Sequence, residues 1–346
     1  MVFPDGVKWD TENWCLSLDL FLYKSIFYGN LIYNLRKNNP HFTEFLLPVF
    51  EDRCLYVSFF VPTNNLRYVL LIKSANFVGK RTVHIMIVKA KKALGQHFLK
   101  DEGIAKGIVD ALMVENQAKS SNNVLEIGPG TGVLTKYLIG DERIKLELAE
   151  IDIESIEYLK ATYPYSLSSL VQRDFLQMNL RDVFASEPFG IIGNFPYNIS
   201  SQIFFKILED PDLVPQVVCM LQKEVAERLV SPPGNKSYGI LSVLLQAWYN
   251  MEYLFTVPEH VFLPPPKVKS GVIRLTRNSN TELGCEPQLF KQIVKACFNQ
   301  RRKTIRNSIK PTIAVKLGRE IQDPILDRRP EQLSVQEFVY LTNLFS

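Results

Sequence analysis

The stretch Val124-Leu-Glu-Ile-Gly-Pro-Gly-Thr-Gly132 sets the fold. An apolar run broken only by Glu126 turns into three glycines spaced two apart, and a helical pattern follows over 131–139. A short buried run, a glycine turn and a helix form the strand–turn–helix unit of a parallel sheet. Working outward, 145–151 reads as a second strand ending in acids, with a helix over 154–161 behind it. Residues 167–172, 190–193 and 216–221 supply three more strands, and 253–257 and 271–275 two late ones that close the edge. Strands alternating with helices predict an α/β chain with a doubly wound, mostly parallel sheet. Before the loop come a basic lead-in, Lys89-Ala-Lys-Lys, the stretch Leu94-Gly-Gln-His-Phe-Leu99 and a helix to about residue 114. Beyond Asn278 the pattern is helical and basic.

Composition bounds the function. The chain has 346 residues, 46% apolar and 22% charged, with a net charge of +4. At about 150 residues per domain this predicts two domains, or three, each with a real core, and excludes a disordered or collagen-like chain. No run approaches the roughly 18 apolar residues of a membrane span. The five cysteines lie far apart with no CxxC pair, which argues against a disulfide framework or a zinc site and fits a reducing compartment; no metal is expected. Residues 1–85 hold 16 of the 39 aromatics, show little sustained period and lack a secretory leader. Acids at Asp5, Asp10, Glu12, Asp19, Glu44, Glu51 and Asp52 argue against a transit peptide. Either an appended small domain or translated sequence upstream of a start at Met86 accounts for them; the second is preferred. The expected division is 1–85 as an extra segment, 86–277 as the α/β domain and 278–346 as a small helical domain.

Glycines at a strand-to-helix turn let the backbone approach a ligand, and helix N–H groups face it. Glu150 follows Gly130 by 20 residues at the end of the second strand, where doubly wound folds hold an acid against ribose hydroxyls. Dinucleotide folds use G-x-G-x-x-G; here the spacing is G-x-G-x-G, with Pro129 inside it and Glu126 before it. That variant resembles the loop of class I methyltransferases, which bind S-adenosyl-L-methionine. Asp174 matches the acid that meets the adenine amino group in that class; a plain strand-end cap is the alternative.

Asn194-Phe-Pro-Tyr197 follows the fourth strand, at the sheet end where ligands of open α/β folds lie. An exocyclic adenine nitrogen is a poor nucleophile because its lone pair is delocalised into the ring. The Asn194 side-chain oxygen, with the carbonyl of Phe195 or Pro196, can accept hydrogen bonds from that amine and aim its lone pair at a methyl group. Tyr197 can stack on a base taken out of its helix. An ordinary Asn-x-Pro turn with a packed tyrosine is the bland alternative.

From Met86 onward the chain resembles the ribosomal RNA small-subunit adenine dimethyltransferase family. The resemblance rests on Leu94–Leu99, Glu126–Gly132, Asn194-Phe-Pro-Tyr-Asn-Ile-Ser200, Leu221-Gln-Lys-Glu-Val-Ala226 and Tyr238-Gly-Ile-Leu-Ser-Val243. It extends through Pro264-Pro-Pro-Lys-Val-Lys-Ser270 and Phe298-Asn-Gln-Arg-Arg-Lys-Thr-Ile-Arg-Asn307. It implies methylation of N6 of two adjacent adenosines near the 3′ end of small-subunit (16S) RNA during ribosome biogenesis. It further implies a cytoplasmic monomer that meets the assembling 30S subunit and no membrane. By the same resemblance His97, Leu99, Gly128, Glu150, Asp174 and Asn194 contact the cofactor, and Asn194, Pro196 and Tyr197 serve catalysis. Two features depart from it: many relatives carry Asn where this chain has His97, and residues 1–85 match nothing in the pattern.

Residues 291–310 carry seven Lys/Arg and no acid. On one helix at about 100° per residue, Lys291, Lys295, Arg302 and Arg306 fall within about 60° of one another, beside an apolar arc of Phe298, Ile305 and Ile309. Such a face is usually only solvated; next to a base-modifying site this one, with Arg301 and Lys303, is expected to contact RNA phosphates. A resistance-type enzyme acting on large-subunit RNA is the nearest rival function. Protein-glutamine and DNA-adenine methyltransferases usually carry Pro where this chain has Phe195. A non-catalytic RNA-binding factor on the same scaffold need not keep Glu150, Asp174, Asn194 and Tyr197 together.

Overall fold

The computed structural model describes residues 49–51, 54–61, 66–73, 82–88, 90–116, 122–163, 173–309 and 321–346. The chain divides into two units, 1–87 and 88–346. In the first, β1 (Val49–Glu51), β2 (Cys54–Val61), β3 (Leu66–Lys73) and β4 (Thr82–Val88) form one sheet in that order. The β1–β2 and β2–β3 pairs are antiparallel. The sequence shows little sustained period here. The β2 run Cys-Leu-Tyr-Val-Ser-Phe-Phe-Val has the β-branched and aromatic residues that favour strands without strict alternation.

The second unit adds β5 (Phe98–Leu99), β6 (Asn123–Ile127), β7 (Lys145–Ala149), β8 (Gly190–Asn194), β9 (Gln216–Gln222), β10 (Tyr249–Val257), β11 (Phe262–Leu263) and β12 (Ser270–Arg277). Its helices are α1 (Glu102–Asn116), α2 (Thr135–Ile139), α3 (Ile153–Thr162), α4 (Leu180–Val183), α5 (Ser200–Ile207), α6 (Lys223–Val230), α7 (Ile240–Gln246), α8 (Pro287–Asn299), α9 (Ile305–Ile309) and α10 (Val335–Leu344). Six strands make one sheet in the order β10-β12-β9-β8-β6-β7. Strands β7, β6, β8 and β9 run parallel, while β12 and β10 are antiparallel additions. The strand expected at 167–172 lies outside the described residues.

Every residue of β6 is buried, as expected of a parallel strand covered on both faces. Successive β9 residues serve opposite faces. Val217, Cys219 and Leu221 enter one core with β8 Ile191 and α5 Phe204, while Val218 and Met220 enter another with α1 Ile108 and Leu112. The late strands do not simply close the edge. β12 is interior, with Ser270 to Ile273 all buried, and β10 takes the edge, where Glu252 and its neighbours alternate with solvent. α7 belongs to two cores: Leu245 packs under the sheet, whereas Val243 and Leu244 pack with α8, α9 and α10. The C-terminal helices therefore share their core with 238–247 instead of closing one of their own.

From β6 the sheet extends one way to β7 and the other way to β8. This switch point opens a crevice at the C-terminal strand ends, where ligands of doubly wound folds bind.

Candidate active site

The crevice is lined by the glycine loop, the end of β7, the end of β8 and the lead segment around residues 94–99. Gly130 adopts φ +56°, and a side chain there would come 2.9 Å from the Phe98 ring, so the loop and the lead meet only because this residue is glycine. Gly193 serves a second close approach, since a Cβ on it would lie 2.5 Å from the Ile127 carbonyl oxygen.

Glu150 stands just beyond β7, buried at the crevice wall. Its Oε2 accepts from the Gly130 N–H at 3.0 Å, and its Oε1 accepts from the N–H groups of Ile151 and Asp152, both at 2.9 Å. Burial pushes this carboxyl up, against the pull of those donors. A carboxylate offers about four acceptor positions, so three backbone donors leave room on Oε2 for a hydroxyl. Glu126 lines the same crevice, fully buried, and accepts from the Thr135 hydroxyl at 2.7 Å. Burial pushes its carboxyl up to about 8.

The lead crosses the crevice and pairs β5 with β11 in antiparallel register. Leu99 is buried there. His97 Nδ1 lies 2.8 Å from the Pro264 carbonyl, which can only accept, so Nδ1 carries a proton. The imidazole leans on Tyr197, with ring centroids 5.4 Å apart.

Asn194 closes β8. Its Nδ2 donates to the His97 carbonyl at 2.8 Å. That acceptor fixes which way round the amide sits, and Oδ1 has no partner among the described residues. Phe195 turns away into the core, edge-on to Phe204 at 5.8 Å, while its N–H donates to the Met220 carbonyl at 2.9 Å. The Pro196 carbonyl accepts from the Ile199 N–H at 3.2 Å. Tyr197 is tied by its hydroxyl to Ser270 Oγ at 2.6 Å. The structure thus gathers His97, Leu99, Gly128, Glu150, Asn194, Pro196 and Tyr197 along one crevice.

Asp174 is not among the lining residues. Its Oδ1 accepts from the Leu176 N–H and its Oδ2 from the Gln177 side chain, each at 3.0 Å, so it caps the turn at Phe175–Gln177.

The basic C-terminal segment is not one helix. α8 stops at Asn299, Gln300 leaves helical geometry at φ −121° and ψ 46°, and α9 starts only at Ile305. The shared angular face of Lys291, Lys295, Arg302 and Arg306 therefore does not exist. The break allows Ile305 and Ile309 to enter the same core as Ile293 and Cys297 of α8. Lys291 and Lys295 sit over the Phe205 ring at 5.8 and 5.2 Å, Arg301 donates to the Lys236 carbonyl, and Arg306 pairs with Asp327 at 2.9 Å. Arg302 and Lys303, exposed in the turn, have no ion-pair partner among the described residues.

The sequence profile of the ribosomal RNA adenine dimethylase family matches residues 87–338. The chain belongs to that family. It is 56% identical over 260 residues to the ribosomal RNA small subunit methyltransferase A of Bacteroides fragilis, covering 74% of this chain and 92% of the relative. The protein of the same name from Cytophaga hutchinsonii is 55% identical over 259 residues, covering 75% and 98%. A dimethyladenosine transferase from Plasmodium falciparum superposes with a TM-score of 0.59 at 25% identity, covering 71% of this chain and 96% of that one. The 23S rRNA methyltransferase ErmE shares the fold, with a TM-score of 0.51 at 24% identity over 71% of this chain and 99% of its own. As a ribosomal RNA adenine dimethylase the chain is a methyltransferase with S-adenosylmethionine as its donor. No described helix is long and apolar enough to cross a membrane.

Gln96, Asp152 and Ser270 also belong to the site, and no sequence signal marked them. Gln96 and Ser270 stood inside quoted motif blocks, but nothing local tells which atoms they meet. Asp152 stood two residues beyond Glu150 and carried no signal beyond acidity.

Proposed function

We propose that this ribosomal RNA adenine dimethylase acts on N6 of two adjacent adenosines near the 3′ end of small-subunit RNA within the assembling 30S subunit, with Asn194 holding the target amine. The observation that carries the role of Asn194 is its amide: the His97 carbonyl takes the Nδ2 donor and leaves Oδ1 as a free acceptor at the crevice. S-adenosylmethionine, when bound, supplies an electrophilic methyl carbon. Glu150 and the glycine loop fit a ribose-bearing ligand, because the Glu150 carboxylate keeps an acceptor position beside Gly130. Asn194 Oδ1 accepts one N–H of the target amine and so turns the nitrogen lone pair out of conjugation. The Pro196 carbonyl keeps a second lone pair beyond its bond to Ile199 and receives the other N–H. Tyr197, held by Ser270 and flanked by His97, offers a fixed ring face for a base drawn out of the RNA. No side chain has to remove a proton beforehand, because the nitrogen becomes acidic as it gains the methyl group. Arg302 and Lys303, free in their turn, contact phosphate and position the RNA without reading its sequence.

Single-turnover methylation at saturating RNA tests the catalytic assignment. Asn194→Ala lowers the rate by about 10²–10³, the typical effect of losing one hydrogen-bonding group at a reacting atom. Donor affinity in the same variant stays within a few-fold of wild type. A variant that methylates at the wild-type rate removes Asn194 from the chemistry.

A further inference from the structure

Residues 91–99 form a strap across the crevice, tied to the body of the unit at both ends and, between them, through Ala93 and His97, whose Nδ1 also donates to the Pro264 carbonyl. At the far end β5 pairs with β11, and the Lys100 N–H donates to the Val261 carbonyl at 2.8 Å. In the middle, the His97 carbonyl accepts from Asn194, and the Ala93 carbonyl from Asn198 Nδ2 at 3.4 Å. At the near end the buried acid Asp152 is the main anchor. Asp152 Oδ1 receives Lys91 Nζ at 2.5 Å, and Oδ2 receives Gln96 Nε2 at 3.3 Å. Gln96 also folds back, its Oε1 accepting from the Lys91 N–H at 2.8 Å, so the two strap residues grip the acid as one unit. Glu154 gives Lys91 a second anionic partner at 3.1 Å.

Asp152 is placed to do something else. It is the N-cap residue of α3, where an aspartate ordinarily accepts from the helix's free N–H groups. Its side chain makes no such bond and spends its oxygens on Lys91, Gln96 and the Ser155 hydroxyl. Its own N–H donates to Glu150 Oε1. The same three residues, Glu150 to Asp152, therefore carry the ribose acceptor and the anchor of the strap.

We propose that Asp152 is a positioning residue that latches the strap over the cofactor crevice through Lys91 and Gln96, and that the latched strap holds the His97 carbonyl where it orients Asn194. The inference rests on the cofactor reading of the crevice given above. With the latch broken, the strap's near end is released, the crevice loses part of one wall, and Asn194 loses the acceptor that fixes its amide.

The test uses the full chain and three variants, Asp152→Asn, Lys91→Met and the double variant. Two readouts serve: calorimetric affinity for S-adenosylmethionine, and trypsin cleavage after Lys92 with and without that ligand. Each single variant weakens binding by about tenfold, in keeping with loss of one charge-assisted contact. The double variant loses less than the sum of the two single losses, because both remove the shared Lys91–Asp152 pair. Ligand slows cleavage at the strap in the wild type and does so less in the variants. Lys91→Met changes a half-exposed side chain and keeps the test valid should Asp152→Asn fold poorly. Wild-type affinity in folded Asp152→Asn and Lys91→Met, or losses that simply add, overturns the latch. Glu150→Ala is run beside them: if it too binds normally, the cofactor reading fails; if it alone loses binding, only the latch fails.

Discussion

Replacing Glu150 by Gln changes the site by one atom and one charge, and the structure says what that costs. Oε1 serves two backbone donors and Oε2 one, so every arrangement of a glutamine amide points its NH2 at a backbone N–H. The better choice keeps the carbonyl at the Oε1 position and sets the NH2 against Gly130. One buried N–H is then stranded, at about 1–3 kcal/mol, and the acceptor for a ribose hydroxyl is lost with it. The ribose hydroxyl left unpaired in the complex costs about 1–3 kcal/mol of binding, and since about 1.4 kcal/mol is tenfold, donor affinity falls by roughly 10- to 100-fold. Glu150→Ala removes the carboxylate acceptor from all three N–H groups and loses more, both in affinity and in resistance to unfolding. Isothermal calorimetry with S-adenosylmethionine, beside thermal unfolding of each variant, gives both numbers. The ordering wild type, Gln, Ala is the expected result. A folded Glu150→Gln protein with wild-type affinity refutes the reasoning, because the glycine loop would then not depend on this carboxylate.

Charge reversal of Arg302 and Lys303 to Glu weakens RNA binding and lowers the salt slope of log affinity by about two, one per lost phosphate contact, read from binding isotherms at several salt concentrations. Glu126 makes stability pH-dependent. Its folded carboxyl titrates at about 8 against 4.5 when free, so the unfolded chain sheds the proton first and stability falls as pH rises from about 4.5 to about 8, then levels off. Glu126→Gln flattens that slope in urea unfolding series across the same range. A chain begun at Met86 folds and methylates RNA like the full chain, as gel filtration and a methyl-transfer assay check; loss of either in the shorter chain overturns the reading of residues 1–85 as dispensable.

The parts legible in the sequence are those whose physics is local. A fully buried parallel strand must be apolar, and a tight turn that admits a ligand must carry glycines, so β6 and the loop after it stood out. The order of strand and helix then put Glu150 and Asn194 at strand ends without any coordinates. What stayed hidden depends on partners far along the chain. Lys91 and Asp152 lie 61 residues apart, Tyr197 and Ser270 lie 73 apart, and neither member of either pair carries a mark of the other. The basic segment misled for a related reason. An uninterrupted helix fits the spacing from 291 to 306, but burying both Ile293 and Ile305 in one core needs the turn at 300–304. The interior place of β12 was not legible either, because a short strand interrupted by Arg274 fits an edge or a centre equally until its neighbours are known.

Primer extension across the 3′ region of small-subunit RNA tests the central claim most directly. Two methyl groups on N6 block base pairing, so reverse transcriptase halts at a dimethylated adenosine. With the protein and S-adenosylmethionine, stops are expected at two adjacent adenosines near that 3′ end, absent without either component and absent with Asn194→Ala. Read-through at those positions, or stops appearing on large-subunit RNA instead, contradicts the account.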